Sequence, residues 1–168
     1  MHDYLIALGS NMPSAEHGAP SANIGAAFAM LRDIGPVIAS PIVASAPLGP
    51  SRRRYANAAA LLESDLSPPE LLALLKHIER GFGRRAGGRR WGARVLDLDI
   101  VLWSGGAWAS PGLTIPHPAF HQRGFVLGPA SAIAPRWRDP ISGLSVRQLN
   151  ARLTAPRRLP SAPPWSGR

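Results

Sequence analysis

What most constrains the fold is a change of apolar period along the first hundred residues. Residues 3–8 form a short apolar run closed by Gly9-Ser10-Asn11 and Pro13, which reads as a buried strand ending in turn chemistry. From Ser21 to Arg32, Ile24, Phe28 and Leu31 recur at helical spacing, with Ser21 or Asn23 as the expected cap and Gly35-Pro36 as the stop. Two β-prone runs follow, Val37 to Ser45 and Tyr55 to Leu62, joined by a Pro- and Arg-rich loop from Ala46 to Arg54. Ser67-Pro68-Pro69-Glu70 combines a cap, an early proline and an early carboxylate, and so opens a second helix, whose buried stripe is Leu71, Leu72, Leu75 and Ile78. A glycine-studded basic segment from Gly81 to Arg94 breaks that pattern, and Val95 to Trp103 resumes as a strand.

The order β-α-β-β-α-β predicts an α+β, ferredoxin-like fold, an antiparallel sheet with helices on one face and long loops between elements. Beyond Trp103, Pro and Gly recur too often for long elements, apart from a short helix over Val146 to Leu153. With 168 residues, one domain over 1–155 is expected, and Pro156, Pro160, Pro163 and Pro164 mark 156–168 as a flexible tail.

Composition narrows the chemistry. The chain has no cysteine, which removes disulfides, thiolate metal sites and cysteine nucleophiles together and suits the cytoplasm. The first residues carry no basic leader, and every apolar stretch is interrupted well before the roughly 18 residues a membrane span needs. The net charge is +9, with Lys76 the only lysine among 19 basic residues, so a polyanion, nucleotide or nucleic acid, fits the surface.

The fold leaves function to particular side chains. In Leu96-Asp97-Leu98-Asp99-Ile100, strand alternation sends Asp97 and Asp99 to one face and the three apolar residues to the core. Two like charges on one face call for a positive partner, and hard oxygen donors on a rigid strand suit Mg²⁺ carrying substrate phosphates. Immediately upstream, Arg84, Arg85, Arg89, Arg90 and Arg94 surround Trp91 in a glycine-rich loop. Carboxylates that hold an ion, beside guanidinium groups that bind phosphate oxygens, are what a metal-bound triphosphate requires. Pro116-His117-Pro118 and Arg123-Gly124-Phe125 add an imidazole, a guanidinium and an aromatic face.

Three other patterns fail on context. Gly81 to Ala86 formally fits a dinucleotide-binding glycine pattern but follows a helix. Lys76 has no glycine before it, so there is no phosphate-binding P-loop. Arg80-Gly81-Phe82-Gly83 copies the start of an RNA-recognition motif, but it sits at a helix end, and the third strand carries one aromatic, Tyr55, instead of a stacking platform. A small RNA-binding module remains the alternative from another functional class, and a catalytically silent relative a third.

Spaced motifs then resemble the 6-hydroxymethyl-7,8-dihydropterin pyrophosphokinase family. They are Leu8-Gly9-Ser10-Asn11, Pro47-Leu48-Gly49-Pro50, Tyr55-Ala56-Asn57-Ala58, Ile78-Glu79, the run from Arg90 to Ile100, Pro116-His117-Pro118 and Arg123 to Leu127. The resemblance implies transfer of diphosphate from ATP to the hydroxymethyl group of 6-hydroxymethyl-7,8-dihydropterin with release of AMP, in folate biosynthesis. It implies a cytoplasmic monomer with no nucleic-acid or membrane partner. Asp97 and Asp99 would hold two Mg²⁺ ions, with Arg84 and Arg94 completing the catalytic set. Tyr55 and Phe125 would sandwich the pterin, with Ser45, Asn57 and the chain at Pro47 and Leu48 reading its amide edge and Trp91 and Arg123 beside it. Lys76, Glu79, Arg84, Trp91, Arg94, Ile100, Thr114, His117 and Arg123 would line the ATP side. The sequence departs from the family pattern at Lys76 (where Gln is expected), Ala86, Ala93, Gly112 and Ala132.

Overall fold

A computed structural model describes residues 1–45, 54–83 and 94–156. Strand β1 (His2–Ser10) lies at the centre of an antiparallel sheet, between β4 (Tyr55–Ser64) and β5 (Asp97–Trp103). Both β2 (Val37–Ala39) and β3 (Val43–Ser45) pair with β4, forming the far edge. With helices α1 (Pro20–Ile34) and α2 (Pro68–Gly81) in the two crossovers, this is the expected ferredoxin-like order.

The single strand expected over Val37 to Ser45 is broken at Ser40-Pro41. Proline cannot donate to the ladder, and Ser40 bridges the gap. Its backbone N–H donates to Ala59 O at 2.9 Å, and its Oγ accepts from Ala59 N at 2.8 Å. Helix α1 also starts differently. Pro20 occupies the first turn, and Asn23, expected as a cap, instead turns its side chain inward and is fully buried. In α2, Glu70 accepts from both the backbone N–H and the hydroxyl of Ser67, as the start signal predicted.

Side-chain alternation divides the sheet into two apolar faces. On the first, Tyr4, Ile6, Leu8, Ala58, Ala60, Leu62, Leu98 and Ile100 meet Ile24, Phe28 and Leu31 of α1 and Leu71, Leu75 and Ile78 of α2. Leu72 is only partly buried. On the second, Leu5, Ala59, Val101 and Leu102 meet two further helices, α3 (Gly124–Ile133) and α4 (Val146–Thr154). Both faces are therefore covered, correcting the expectation of helices on one face. Helix α3 was hidden by Gly124, Gly128 and Pro129, whose propensities oppose helix formation but are overridden by burial of Val126, Leu127, Pro129 and Ala130.

A hairpin also escaped the sequence pattern. Strands β6 (Trp108–Ser110) and β7 (Leu113–Ile115) pair around Pro111-Gly112, with Gly112 at φ +78°. That left-handed conformation favours glycine at this position. A register shift beside Leu5 and Ile6 makes Val101 the extra residue of a bulge, and both Val101 and Leu102 enter the second core.

Candidate active site

The site is built where the second face loses its apolar cover. Residues directly opposed on neighbouring strands share a face, and strands lie about 4.8 Å apart. Asp97 opposes Gly9, Gly9 opposes Asn57, and Asn57 opposes Val43, so these four form one row across the sheet. Asp99 lies two residues along from Asp97, opposite Ala7. Tyr55 lies two residues from Asn57 and opposite Ser45, the end of β3. Farther along the same face stand Ala59 and Val101 of the second core. Alternation puts Asp97 and Asp99 on one face, and strand register sets that face in line with Asn57 and Tyr55.

Gly9 matters because it contributes no side chain between Asn57 and Asp97. A Cβ there would lie 3.5 Å from Asn57 Oδ1, so a larger residue would fill the floor of the row.

Electrostatics complement the carboxylates. Arg94 Nη1 donates to Asp97 Oδ2 at 2.6 Å. Burial alone would lower the Arg94 pKa, but Asp97 chiefly, with Asp99 and Tyr55, holds it above its ordinary value. His117 reaches the site because its backbone N–H donates to Val101 O at 3.0 Å. Its Nδ1 accepts from Ala119 N at 3.2 Å, which leaves the proton of the neutral ring on Nε2, 3.9 Å from Asp99 Oδ2. Burial lowers the His117 pKa most. Asp99 opposes that effect, Arg123 reinforces it, and the net shift is downward.

At the start of α3, the Arg123 guanidinium lies 5.7 Å from the centroid of the Phe125 ring. Phe125 packs partly against the second core, so the missed helix is what carries this aromatic to the site's face. Thr114 is exposed on β7, while its neighbours Leu113 and Ile115 enter the first core.

Three residues assigned to the ATP side are placed differently from the carboxylates. The Ile100 side chain is buried in the first core, on the opposite face, so only its backbone is available to a ligand there. Glu79 is fully buried, and its Oε1 accepts from Leu98 N at 2.7 Å and from Lys76 Nζ at 2.9 Å. Lys76 also donates to Leu98 O at 3.2 Å. Together they cover the outer edge of β5 at the residue between the two aspartates, and so stiffen the strand that presents them. Pro47, Leu48, Arg84 and Trp91, and the departures Ala86 and Ala93, lie outside the described residues, as does the Ser45 side chain.

Two asparagines had no site role in the sequence reading. Asn11 exchanges hydrogen bonds with the Arg94 backbone, and Asn23 reaches Val95 O at 3.3 Å. For Asn11 the signals were its place in turn chemistry after β1 and in the Leu8-Gly9-Ser10-Asn11 motif, neither of which pointed to Arg94.

Comparison with known proteins bears on the family and the fold. A family model described as 7,8-dihydro-6-hydroxymethylpterin-pyrophosphokinase matches residues 5–135. A 2-amino-4-hydroxy-6-hydroxymethyldihydropteridine pyrophosphokinase of Synechocystis sp. is 42% identical over 119 residues, 71% of this chain and 60% of the relative. One of the same name from Pseudomonas aeruginosa is 40% identical over 139 residues, 80% of this chain and 82% of the relative. The chain thus spans 60% of the length of the Synechocystis relative. The crystal structure of wild-type Plasmodium falciparum HPPK-DHPS superposes with a TM-score of 0.68 at 11% identity, over 90% of this chain and 44% of that one, a likeness of fold alone.

Proposed function

Because the chain belongs to the 7,8-dihydro-6-hydroxymethylpterin-pyrophosphokinase family, we propose that it transfers the β,γ-diphosphoryl unit of ATP to 6-hydroxymethyl-7,8-dihydropterin in folate biosynthesis. The observation that carries this reading is the row itself: two carboxylates and an arginine at one end, an amide and an aromatic ring at the other, with Gly9 open between them. A flat acceptor bound at Asn57 and Tyr55 would extend along the sheet toward the carboxylates, where the phosphates must be. A catalytically silent relative would have no use for the charged end. The RNA-binding alternative has no support from the family match, and paired aspartates would repel a nucleic-acid backbone.

The residues fit Mg²⁺ held jointly with phosphate oxygens. Asp97 and Asp99 are hard donors on one rigid strand, partly exposed at 23% and 31%. Among the described residues, no group of three or more His, Cys, Asp and Glu side chains is placed to hold a metal by itself. Two Mg²⁺ ions bound there would neutralise charge on the polyphosphate.

The chain's own groups provide positioning. The pterin hydroxyl oxygen attacks the β-phosphorus of ATP, the bond from that phosphorus to the α-phosphate oxygen breaks, AMP departs, and the hydroxyl proton passes to solvent. Tyr55 and Phe125 would hold the ring by stacking, and Asn57 would match its amide edge and reject rings lacking those groups. Arg94 is poised beside Asp97 to meet charge that develops on the phosphates, with Arg84 and Arg123 completing the cationic side. His117, neutral near pH 7, offers its Nε2–H to a phosphate oxygen. Trp91, Pro47, Leu48, Ser45, Thr114, Lys76, Glu79 and the Ile100 backbone keep the pterin-side and ATP-side roles given by resemblance. The domain spans 1–155, and it works as a monomer in the cytoplasm without nucleic-acid or membrane partners. Among the described residues no helix is long and apolar enough to cross a membrane.

The test is to incubate protein, ATP, Mg²⁺ and 6-hydroxymethyl-7,8-dihydropterin and to separate the products. AMP formed in equal amount with pterin diphosphate is expected. ADP, or no pterin-dependent nucleotide product, overturns the reading.

A further inference from the structure

Arg94 is the first described residue after the basic loop, and both of its backbone polar groups are held by one residue. Arg94 N donates to Asn11 Oδ1 at 2.7 Å, and Asn11 N donates to Arg94 O at 3.0 Å. Three residues farther on, the Arg94 guanidinium meets Asp97. Asn11 itself has little freedom. Asn23 Nδ2 donates to Ser10 Oγ at 3.2 Å and Met12 O at 2.9 Å, one residue on either side, and also to Val95 O, one residue beyond Arg94. Ser14 Oγ donates to Asn23 Oδ1 at 2.7 Å, closing the cluster. Two buried amides, one just after β1 and one from α1, thus grip consecutive backbone groups at the entrance to β5.

We infer that Asn11 is a positioning residue for diphosphate transfer, anchoring the Arg94 backbone to the end of β1 so that its guanidinium stands at Asp97. The inference rests on the functional reading above and adds a residue to it. Tying both backbone groups of Arg94 removes the backbone motions that would carry the guanidinium off the carboxylate, so that only side-chain rotamers remain to be fixed by Asp97. The second half of the Asn11 amide points to the same conclusion. Nδ2 is buried and has no acceptor among the described residues, an arrangement that costs stability. That cost is borne while the Oδ1 acceptor is engaged by Arg94 N. An amide also supplies this acceptor without adding a third carboxylate beside Asp97 and Asp99.

The experiment is a double-mutant cycle in kcat, which separates action through Arg94 from general damage to the fold. Asn11→Ala is expected to lower kcat about tenfold or more, while affinity for a non-hydrolysable ATP analogue with Mg²⁺ stays within about threefold. In an Arg94→Ala background the same substitution should change kcat less than about twofold, because the group it positions is gone. If Asn11→Ala does not fold, as judged by its thermal melt, the cycle is run with Asn11→Ser, whose shorter side chain also fails to reach Arg94 N. An equal loss in both backgrounds, or an unchanged kcat in the single variant, overturns the role. Amide hydrogen exchange at Arg94 in the substrate-free protein is read alongside. It should quicken in Asn11→Ala while exchange at Ala7 does not, and an unchanged Arg94 rate overturns the anchor without reference to activity. Failure of the functional reading looks different: the unaltered protein would then form no AMP at all.

Discussion

Asp97 and Asp99 share a face but lie at different distances from its cationic and imidazole groups. Asp97 is tied to Arg94 at 2.6 Å, whereas Asp99 faces the neutral ring of His117 at 3.9 Å. Relief of like-charge repulsion, the simplest expectation for an acidic strand face, is therefore offset at Asp97 by loss of its arginine. Asp97→Ala is expected to cost up to about 1 kcal/mol of stability, the range for a partly exposed pair. Asp99→Ala should leave the melting temperature within about 2 °C of the unaltered protein. Both should abolish single-turnover AMP formation, and retained turnover in both variants would remove these residues from the reaction. The two carboxylates were legible because strand period is a local property of Leu96 to Ile100. His117 carried only the hint of its flanking prolines. What brings it to Asp99 is a backbone hydrogen bond to Val101, sixteen residues earlier in the chain.

At the scale of elements, the first five assignments followed from apolar period and from start and stop residues, and they failed where one residue altered the ladder. Pro41 divides an edge strand whose neighbours are β-prone. Helix α3 fails the other way: Gly124, Gly128 and Pro129 speak against a helix that the second core nevertheless stabilises. If packing does this, Leu127→Ala in α3 should destabilise as much as Leu75→Ala in α2, each by about 2–5 kcal/mol, since both side chains are fully buried. Denaturant unfolding checks the comparison. A loss below about 1 kcal/mol at Leu127 alone would show α3 to be a loosely docked addition. The element also has a functional consequence. Because Arg123 and Phe125, proposed to lie beside the pterin, stand at the start of α3, Leu127→Ala should weaken pterin binding more than Leu75→Ala does.

For the whole molecule, the sheet is a central layer with α1 and α2 on one face and α3 and α4 on the other, and among the described residues the last core member is Leu149. A chain ended after Pro156 should therefore unfold in one transition with a melting temperature within about 3 °C of the full chain and with unchanged turnover. A larger loss, measured by calorimetry, would show that residues 157–168 contribute to the domain. The second core also decides where the site is. Its apolar residues end at Ala59 and Val101, and beyond them the same face turns polar at Asn57, Gly9 and Asp97. The amino-acid sequence by itself determined the order of strands and helices in the first hundred residues apart from the break at Ser40-Pro41, the common face of Asp97 and Asp99, and, through its spaced motifs, the family. These rest on periodicity and residue type, which act between near neighbours. Only the tertiary structure decided that Asn57 and Asp97 lie in one row with Gly9 between them, that Glu79 and Lys76 grip the edge of β5, and that Asn11 holds Arg94. Each of those is a meeting of side chains or backbone groups from different elements, fixed by strand register and by which face each helix covers, and no local pattern encodes either.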